Sequence, residues 1–188
     1  MTEAPALAAF SKLKLNLSDG SRCLVRAAEP HDAPEIVNYL NAVGGESPYL
    51  DFGAGEFFYA AEDEAQFIRL ARASANSLAV VAVVAEEVVG TLNLQGQLPG
   101  RLSHGAWLGI TVARDFWGTG LAPALMEAGL RWAEENAALS MVYLLTHPEN
   151  ARAVALFKKF GFEEQGRLKR MFRADGRFDD ALCMGREV

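Results

Sequence analysis

"VARDFWGTGLAPALMEAGLRWA", residues 112–133, places two glycines one residue apart between an apolar β-branched run and a long helix-forming run. A helix that starts directly after a strand leaves its first backbone N–H groups unpaired beside the positive end of the macrodipole, so an anion fits there. Glycine at 118 and 120 removes the Cβ atoms that would hold a phosphate away from those amides, and it tolerates positive φ where the loop curls. A tight strand-to-helix turn with no ligand would use the same pair. Downstream, Leu121, Leu125, Ala128 and Trp132 recur at i, i+4, i+7 and i+11, which is one helical face.

Two familiar phosphate loops fail on spacing. A dinucleotide fold needs G-x-G-x-x-G, but Pro123 occupies the third glycine's place and no acidic residue ends a strand about 20 residues on. A P-loop needs a Gly-Lys pair, and the chain contains none.

Working outward, residues 12–17, "KLKLNL", alternate polar and apolar, and Ser18-Asp19-Gly20-Ser21 turns into the apolar stretch "CLVRAA", which predicts an opening hairpin. Asp32 can cap a helix carrying Ile36, Val37 and Leu40. Residues 43–59 have no clear period and read as a long loop, which in a compact domain is usually functional. "EDEAQFIRLARA" puts acids in its first turn and Phe67, Ile68 and Ala71 on one face, which predicts a helix. The β-branched runs 78–84 and 88–94, split by Ala85-Glu86-Glu87, predict a meander of antiparallel strands. A third strand, from about His104, runs into Val112, and "MVYLLT" (141–146) is a fourth. Asn150 is a good N-cap for a helix with Ala153, Val154 and Phe157 on one side, and Gly161 stands where a left-handed C-terminal residue belongs. From Phe162 to Val188 the pattern is two strands folded at Asp175-Gly176. With no repeat and no linker, this order predicts one α+β domain around a mixed, mainly antiparallel sheet.

The 188 residues, 51% hydrophobic and 22% charged, are enough to bury a core. A net charge of −6 argues against a nucleic-acid partner, which needs a clustered Lys/Arg surface. Apolar runs are interrupted well before the length of a membrane span, and "MTEAPALAAFSKLK" lacks the features of a signal peptide, so a cytoplasmic protein with no membrane partner is expected. Cys23 and Cys183 form no Cys-x-x-Cys and there is no His cluster, so neither a disulfide framework nor a metal site is expected. His31 and His147 lie beside helix-start signals and receive no chemistry. Between residues 46 and 64, Glu46, Asp51, Glu56, Glu62, Asp63 and Glu64 meet no Lys or Arg. Such a run is either a solvated acidic surface or a field that draws a cationic substrate.

From about Leu24 to Met184 the order of elements resembles the GNAT superfamily of acetyl-CoA-dependent N-acyltransferases, in particular the branch containing ribosomal-protein alanine N-acetyltransferases and small-amine acetyltransferases. Two motifs carry the resemblance. Trp117-Gly118-Thr119-Gly120-Leu121-Ala122 matches the family's [Q/R]-x-x-G-x-[G/A] pyrophosphate loop except at its opening residue. "THPENARAVALFKKFGFEEQGRLKR" resembles the family's T-x-x-x-N-x-x-A-x-x-x-[Y/F]-x-K-x-G-F-x-x-x-G segment, and the tail "DGRFDDALCM" looks like the branch's closing hairpin. The resemblance implies helices flanking the sheet, a splayed central strand pair, and a single acetyltransferase domain over 1–188: an extension and hairpin over 1–21, then a core over 22–188.

It also implies roles. Ile110 and Val112 would offer backbone groups to the pantetheine arm, with the Val112 amide as catalytic donor to the thioester carbonyl. Trp117, Gly118, Thr119, Gly120, Leu121 and Ala122 would hold the pyrophosphate, chiefly by amides. Asn150 matches an asparagine that contacts pantetheine, alongside its capping role. Phe157 stands where many members place a tyrosine acid; a phenyl ring cannot donate a proton, although a thiol of ordinary pKa, about 8.5, is already a fair leaving group. Lys158 and Lys159 are either near the cofactor phosphates or on a solvated helix face. An attacking ammonium must first lose a proton, and in ribosomal-type members a glutamate near the start of the strand before the loop takes it. Counting back from Val112 puts His104 there, as base or as a structural residue at a strand entrance. Glu46 and Asp51 represent the acidic segment as acceptor-binding residues.

The implied reaction moves an acetyl group from acetyl-CoA, as cosubstrate and without metal, to a small cationic amine or a protein N-terminus by direct attack in a ternary complex. Neither cysteine has the activating neighbour that a covalent route needs. The competing reading is an acyl-CoA-binding regulatory or pseudoenzyme domain without efficient turnover. Homodimers are common in families that resemble this one.

Overall fold

The computed structural model describes residues 10–97, 100–174 and 176–188. Eight strands form one sheet in the order β1-β2-β3-β4-β5-β6-β8-β7: β1 Leu13–Asn16, β2 Arg22–Ala27, β3 Leu78–Val84, β4 Glu87–Gly96, β5 Gly105–Val112, β6 Met141–Thr146, β7 Glu163–Ala174 and β8 Arg177–Glu187. Four α-helices connect them: α1 Ala33–Val43, α2 Ala61–Ala73, α3 Leu121–Glu134 and α4 Ala151–Lys159. All neighbours in the sheet are antiparallel except β5 and β6. This is the expected mixed α+β architecture. Among the described residues, no helix is long and apolar enough to cross a membrane.

Period-two alternation distributes β3 between two cores. Leu78, Val80 and Ala82 join the buried set that includes Leu121, Leu125 and Met126 of α3, while Ala79 and Val81 lie with Ile36, Leu40 and Ile68 of α1 and α2. A strand buried on both faces reads as a continuous apolar run, and "LAVVAVV" does. Helix α3 buries Leu121, Leu125, Ala128 and Trp132, the face its spacing predicts. Between β3 and β4 the chain reverses through Ala85 and Glu86, both at positive φ (49° and 71°), so Glu87 belongs to β4 rather than to the turn. At the β7–β8 reversal, Asp175 lies outside the described residues; Ala174 pairs with Arg177 across it.

Asp32 departs from its expected role. It makes no side-chain cap to α1; it accepts hydrogen bonds at 2.7 Å from both terminal nitrogens of the Arg26 guanidinium and from the Glu29 amide. Both side chains are largely buried. Burial would raise the Asp32 carboxyl, but the Arg26 and Glu29 hydrogen bonds outweigh it and hold the group below the ordinary carboxylate range. The pair pins the end of β2 to the start of α1.

Asp32→Ala leaves a guanidinium without its partner in a low-dielectric setting and is expected to cost about 3–5 kcal/mol in urea unfolding. Because the folded-state pKa is depressed, the contribution of Asp32 is full above the ordinary carboxylate range and is lost as pH falls through it and below. The gap between wild type and variant should therefore close in acid.

Candidate active site

The ladder between β5 and β6 is short. It pairs Gly105 with Met141, Ala106 with Val142 and Trp107 with Tyr143, and then stops, while β5 stays paired to β4 as far as Val112. Ala113 N–H donates to Val89 and Gln97 N–H to the Gly105 carbonyl, so the odd-numbered residues of β5 face β4. Alternation then turns the main-chain groups of Ile110 and Val112 toward the side where β6 has departed. The expected splayed pair is present, and its opening widens into a cavity of about 1780 Å³ lined from both directions. That is more than one drug-sized ligand needs.

At one side of the opening stands the glycine loop. Gly118 (φ 80°) and Gly120 (φ 94°) both hold left-handed conformations, and a Cβ on either would project into open space. Among the described residues, the N–H groups of Gly118, Gly120, Leu121 and Ala122 have no protein acceptor, and Pro123 has no N–H to satisfy. Thr119 differs from its neighbours: it is buried, its hydroxyl donates to the Phe116 carbonyl at 2.7 Å, and its amide is directed at the same oxygen at 3.4 Å. Its own carbonyl accepts from Ser18 N–H at 3.1 Å, which ties the loop to the β1–β2 turn.

Trp117, where the family pattern has Gln or Arg, braces the loop. Its indole N–H donates to the Val112 carbonyl at 2.7 Å, and the Arg152 guanidinium lies 4.4 Å from the ring centroid, with Arg114 at 5.4 Å. Both arginines line the cavity beside Asn150 and Lys159. Asn150 caps α4 by accepting the Ala153 amide at 3.2 Å. The far end of α4 closes with Phe162 N–H bonded to Phe157 and Gly161 N–H to Lys158, Gly161 at φ 80°, and the rings of Phe157 and Phe162 6.0 Å apart. Phe157 is buried there and lines the cavity.

The opposite wall comes from residues 44–60 and the start of α2. Most of its acids serve the local fold. Glu46 accepts the Arg114 backbone N–H at 2.7 Å, and its carbonyl accepts the Arg114 guanidinium. Glu56 accepts Gly53 N–H, Asp63 accepts Ala60 N–H, and Glu62 pairs with Arg69. Glu46, expected as an acceptor-binding residue, lines the cavity and fastens this loop to the chain just past β5. Asp51 lines the cavity and is exposed. Glu64, which sequence reasoning grouped with its neighbours, is half-buried, lines the cavity and has no ion pair or side-chain hydrogen bond among the described residues; burial pushes its carboxyl up. A further unanticipated feature is a chain of hydroxyls, the buried Tyr39 donating to Thr111 at 3.0 Å and Thr111 sharing a hydrogen bond with Thr91 at 2.8 Å, with both threonines lining the cavity.

His104 lies outside the cavity lining. It precedes β5 at the closed end of the splay, is exposed, and its carbonyl is held by Ser140 N–H at 2.9 Å. Eight residues of extended chain separate it from Val112, about 26 Å at the usual rise. Counting along the strand could not reveal that the strands part only after Trp107.

The family model described as "Acetyltransferase (GNAT) family" matches residues 47–162. The L-amino acid N-acetyltransferase AaaT of Escherichia coli K12 is 33% identical over 107 residues, 57% of this chain and 66% of that enzyme, just under two thirds of its length. A solved acetyltransferase of the GNAT family from Streptococcus pneumoniae superposes with a TM-score of 0.85 at 28% identity, covering 88% of this chain and 99% of that one. Mycobacterium smegmatis RimJ, solved in complex with CoA-disulfide, shares the fold at a TM-score of 0.72 and 24% identity, over 94% of this chain and 87% of RimJ.

With the histidine outside the cavity, His104→Ala is expected to leave kcat and both KM values within about twofold of wild type, as a residue that touches neither ligand should. Steady-state assay of the variant with acetyl-CoA and its preferred acceptor checks this.

Proposed function

Because the chain belongs to the acetyltransferase (GNAT) family, we propose that it transfers the acetyl group of acetyl-CoA to a primary amine by direct attack within a ternary complex, the acceptor being a small cationic amine or a protein N-terminus. One observation carries this reading: the opening between β5 and β6 lies beside a loop with unpaired amides at Gly118, Gly120, Leu121 and Ala122. The two features suit the two ends of one cosubstrate, an extended amide-bearing arm and a pyrophosphate.

The residues fit that cosubstrate chemically. Four outward amides at a helix start make an anion cradle that a Cβ at 118 or 120 would partly fill. Arg152 and Arg114 flank the Trp117 ring and supply the positive charge that the family's Gln or Arg position lacks here. Ile110 and Val112 present backbone groups to the amides of the arm, as a β-strand would. When bound, acetyl-CoA supplies an electrophilic thioester carbonyl. The Val112 amide is the fixed dipole available to the charge developing on that oxygen, and its strand is held rigid by the β4 ladder and by the Trp117 brace. Asn150 both starts α4 and faces the cavity. Phe157 contributes apolar wall and no proton, so the departing thiolate relies on its own modest basicity.

The ring at Phe157 is also the observation that favours a second reading, an acyl-CoA-binding domain without efficient turnover. Release of free thiol from acetyl-CoA in the presence of a panel of primary amines separates the two.

Acetyl-CoA at 100 times its Kd is expected to stabilise the fold by about 2.7 kcal/mol. Gly120→Glu should abolish that shift in a thermal melt, since it sets a carboxylate and a strained φ at the pyrophosphate cradle, and Arg152→Ala should weaken it. Undiminished stabilisation of Gly120→Glu would remove the loop from the binding site.

A further inference from the structure

The half of the cavity away from the glycine loop has a chemistry of its own. Six of the nine large hydrophobic side chains that are exposed among the described residues line this one cavity: Phe58, Tyr59, Leu70, Trp107, Trp117 and Met171. Scattered exposed apolar groups are ordinary, whereas a concentrated set around a concave opening marks a surface that is covered in use. Phe58 is 84% exposed and stacks on Tyr59 with ring centroids 4.7 Å apart. The two ring planes are inclined by 28°, and together they give the cavity an exposed aromatic surface.

Several acids stand on that side. Asp51, Asp63 and Glu64 line it. Of the cationic lining residues, Arg114 is tied to Glu46, Arg152 lies over Trp117, Lys159 is in the last turn of α4, and Arg173 of β7 has its guanidinium 5.7 Å from the Phe178 ring. Asp63 is occupied by the Ala60 amide, and Asp51 is exposed. Glu64 is the carboxylate that is both withdrawn from water and without a partner among the described residues. Burial disfavours its charged form, so a cation placed against it recovers a cost the folded protein already carries.

We propose that the acceptor is a primary ammonium carrying an aromatic or large aliphatic group and no carboxylate beside the nitrogen, with Glu64 receiving the ammonium and the Phe58, Tyr59 and Trp107 rings receiving the apolar part. This rests on the acetyl-transfer reading above and narrows it. The ammonium passes one proton to the Glu64 carboxylate; the freed lone pair forms the C–N bond to the thioester carbonyl carbon as the C–S bond breaks. The second nitrogen proton ends on the departing thiolate, giving the amide and free thiol, and Glu64 returns its proton to solvent. A free α-amino acid is disfavoured because its carboxylate would enter beside Asp51, Asp63 and Glu64, whereas Arg114 and Arg152 lie over the Trp117 ring at the glycine loop.

The test is a thiol-release assay with acetyl-CoA and five acceptors: 2-phenylethylamine, a phenylalanine-starting peptide amide, L-phenylalanine, ethylamine and spermidine. Expected is a kcat/KM for 2-phenylethylamine or the peptide at least about tenfold above the other three, whichever of the two leads identifying a free amine or a polypeptide end as the source. Glu64→Gln should raise KM for that acceptor by about tenfold or more and leave KM for acetyl-CoA within about twofold, and Phe58→Ala should narrow the preference for 2-phenylethylamine over ethylamine. The melting temperature of Glu64→Gln should equal or exceed that of wild type, because the variant removes a charge that burial disfavours; a residue that merely held the fold would lower it. Preference for L-phenylalanine, ethylamine or spermidine, or an unchanged acceptor KM in Glu64→Gln, overturns this proposal while leaving acetyl transfer standing. No thiol release with any acceptor, with acetyl-CoA still stabilising the protein, overturns both.

Discussion

The parting of two neighbouring parallel strands is the constraint on which the rest of this molecule depends. Beyond Trp107 and Tyr143, β5 and β6 make no ladder, and each is kept from closing the gap by its other neighbour: β5 is bonded to β4 over its whole length and β6 to β8 from Met141 to Thr146. Unpaired backbone in a sheet interior is costly unless something else bonds to it. One of those groups, the Val112 carbonyl, is satisfied internally by the Trp117 indole. The rest face the cavity, where a ligand rich in amide groups can complete the ladder.

The same economy governs the acidic segment. Six carboxylates without a single intervening cation would repel one another on a free loop. In the folded chain most are absorbed by backbone N–H groups or, for Glu62, by Arg69 two turns along α2, and the bond from Arg114 N–H to Glu46 holds the long loop against the end of β5. Asp51 and Glu64 are the exceptions, and of the two Glu64 is the half-buried one. A half-buried acid without a partner lowers stability, and such sites persist where function uses them.

Much of this was legible in the order of residues because the relevant interactions are local. The Gly118–Gly120 conformations, the Asn150 cap, the closing turn at Gly161 and the apolar face of α3 each depend on residues within a few positions of one another, and all four appear as their spacing predicts. One alternating run and several continuous β-branched runs located the strands, and the two family motifs supplied the arrangement of the sheet that no periodicity contains. Asp32 was misread for a related reason: capping is a local habit of aspartate, and the two-pronged bond to Arg26 depends on where β2 delivers that side chain.

What the amino-acid order by itself determined was the set of elements, the left-handed glycine loop at a helix start and the family; these follow from hydrogen bonds, side-chain periods and motifs that span a few residues. Only the tertiary structure decided who meets whom across the cavity. It tied Glu46 to Arg114 over 68 positions of sequence, set Arg152 over the ring of Trp117, and gathered Phe58, Leu70, Trp107 and Met171 around one mouth. It put His104 at the closed end of the splay, outside the cavity lining. Distance along a strand is readable from a sequence, but the point at which two strands separate is set by the packing of everything on either side of them.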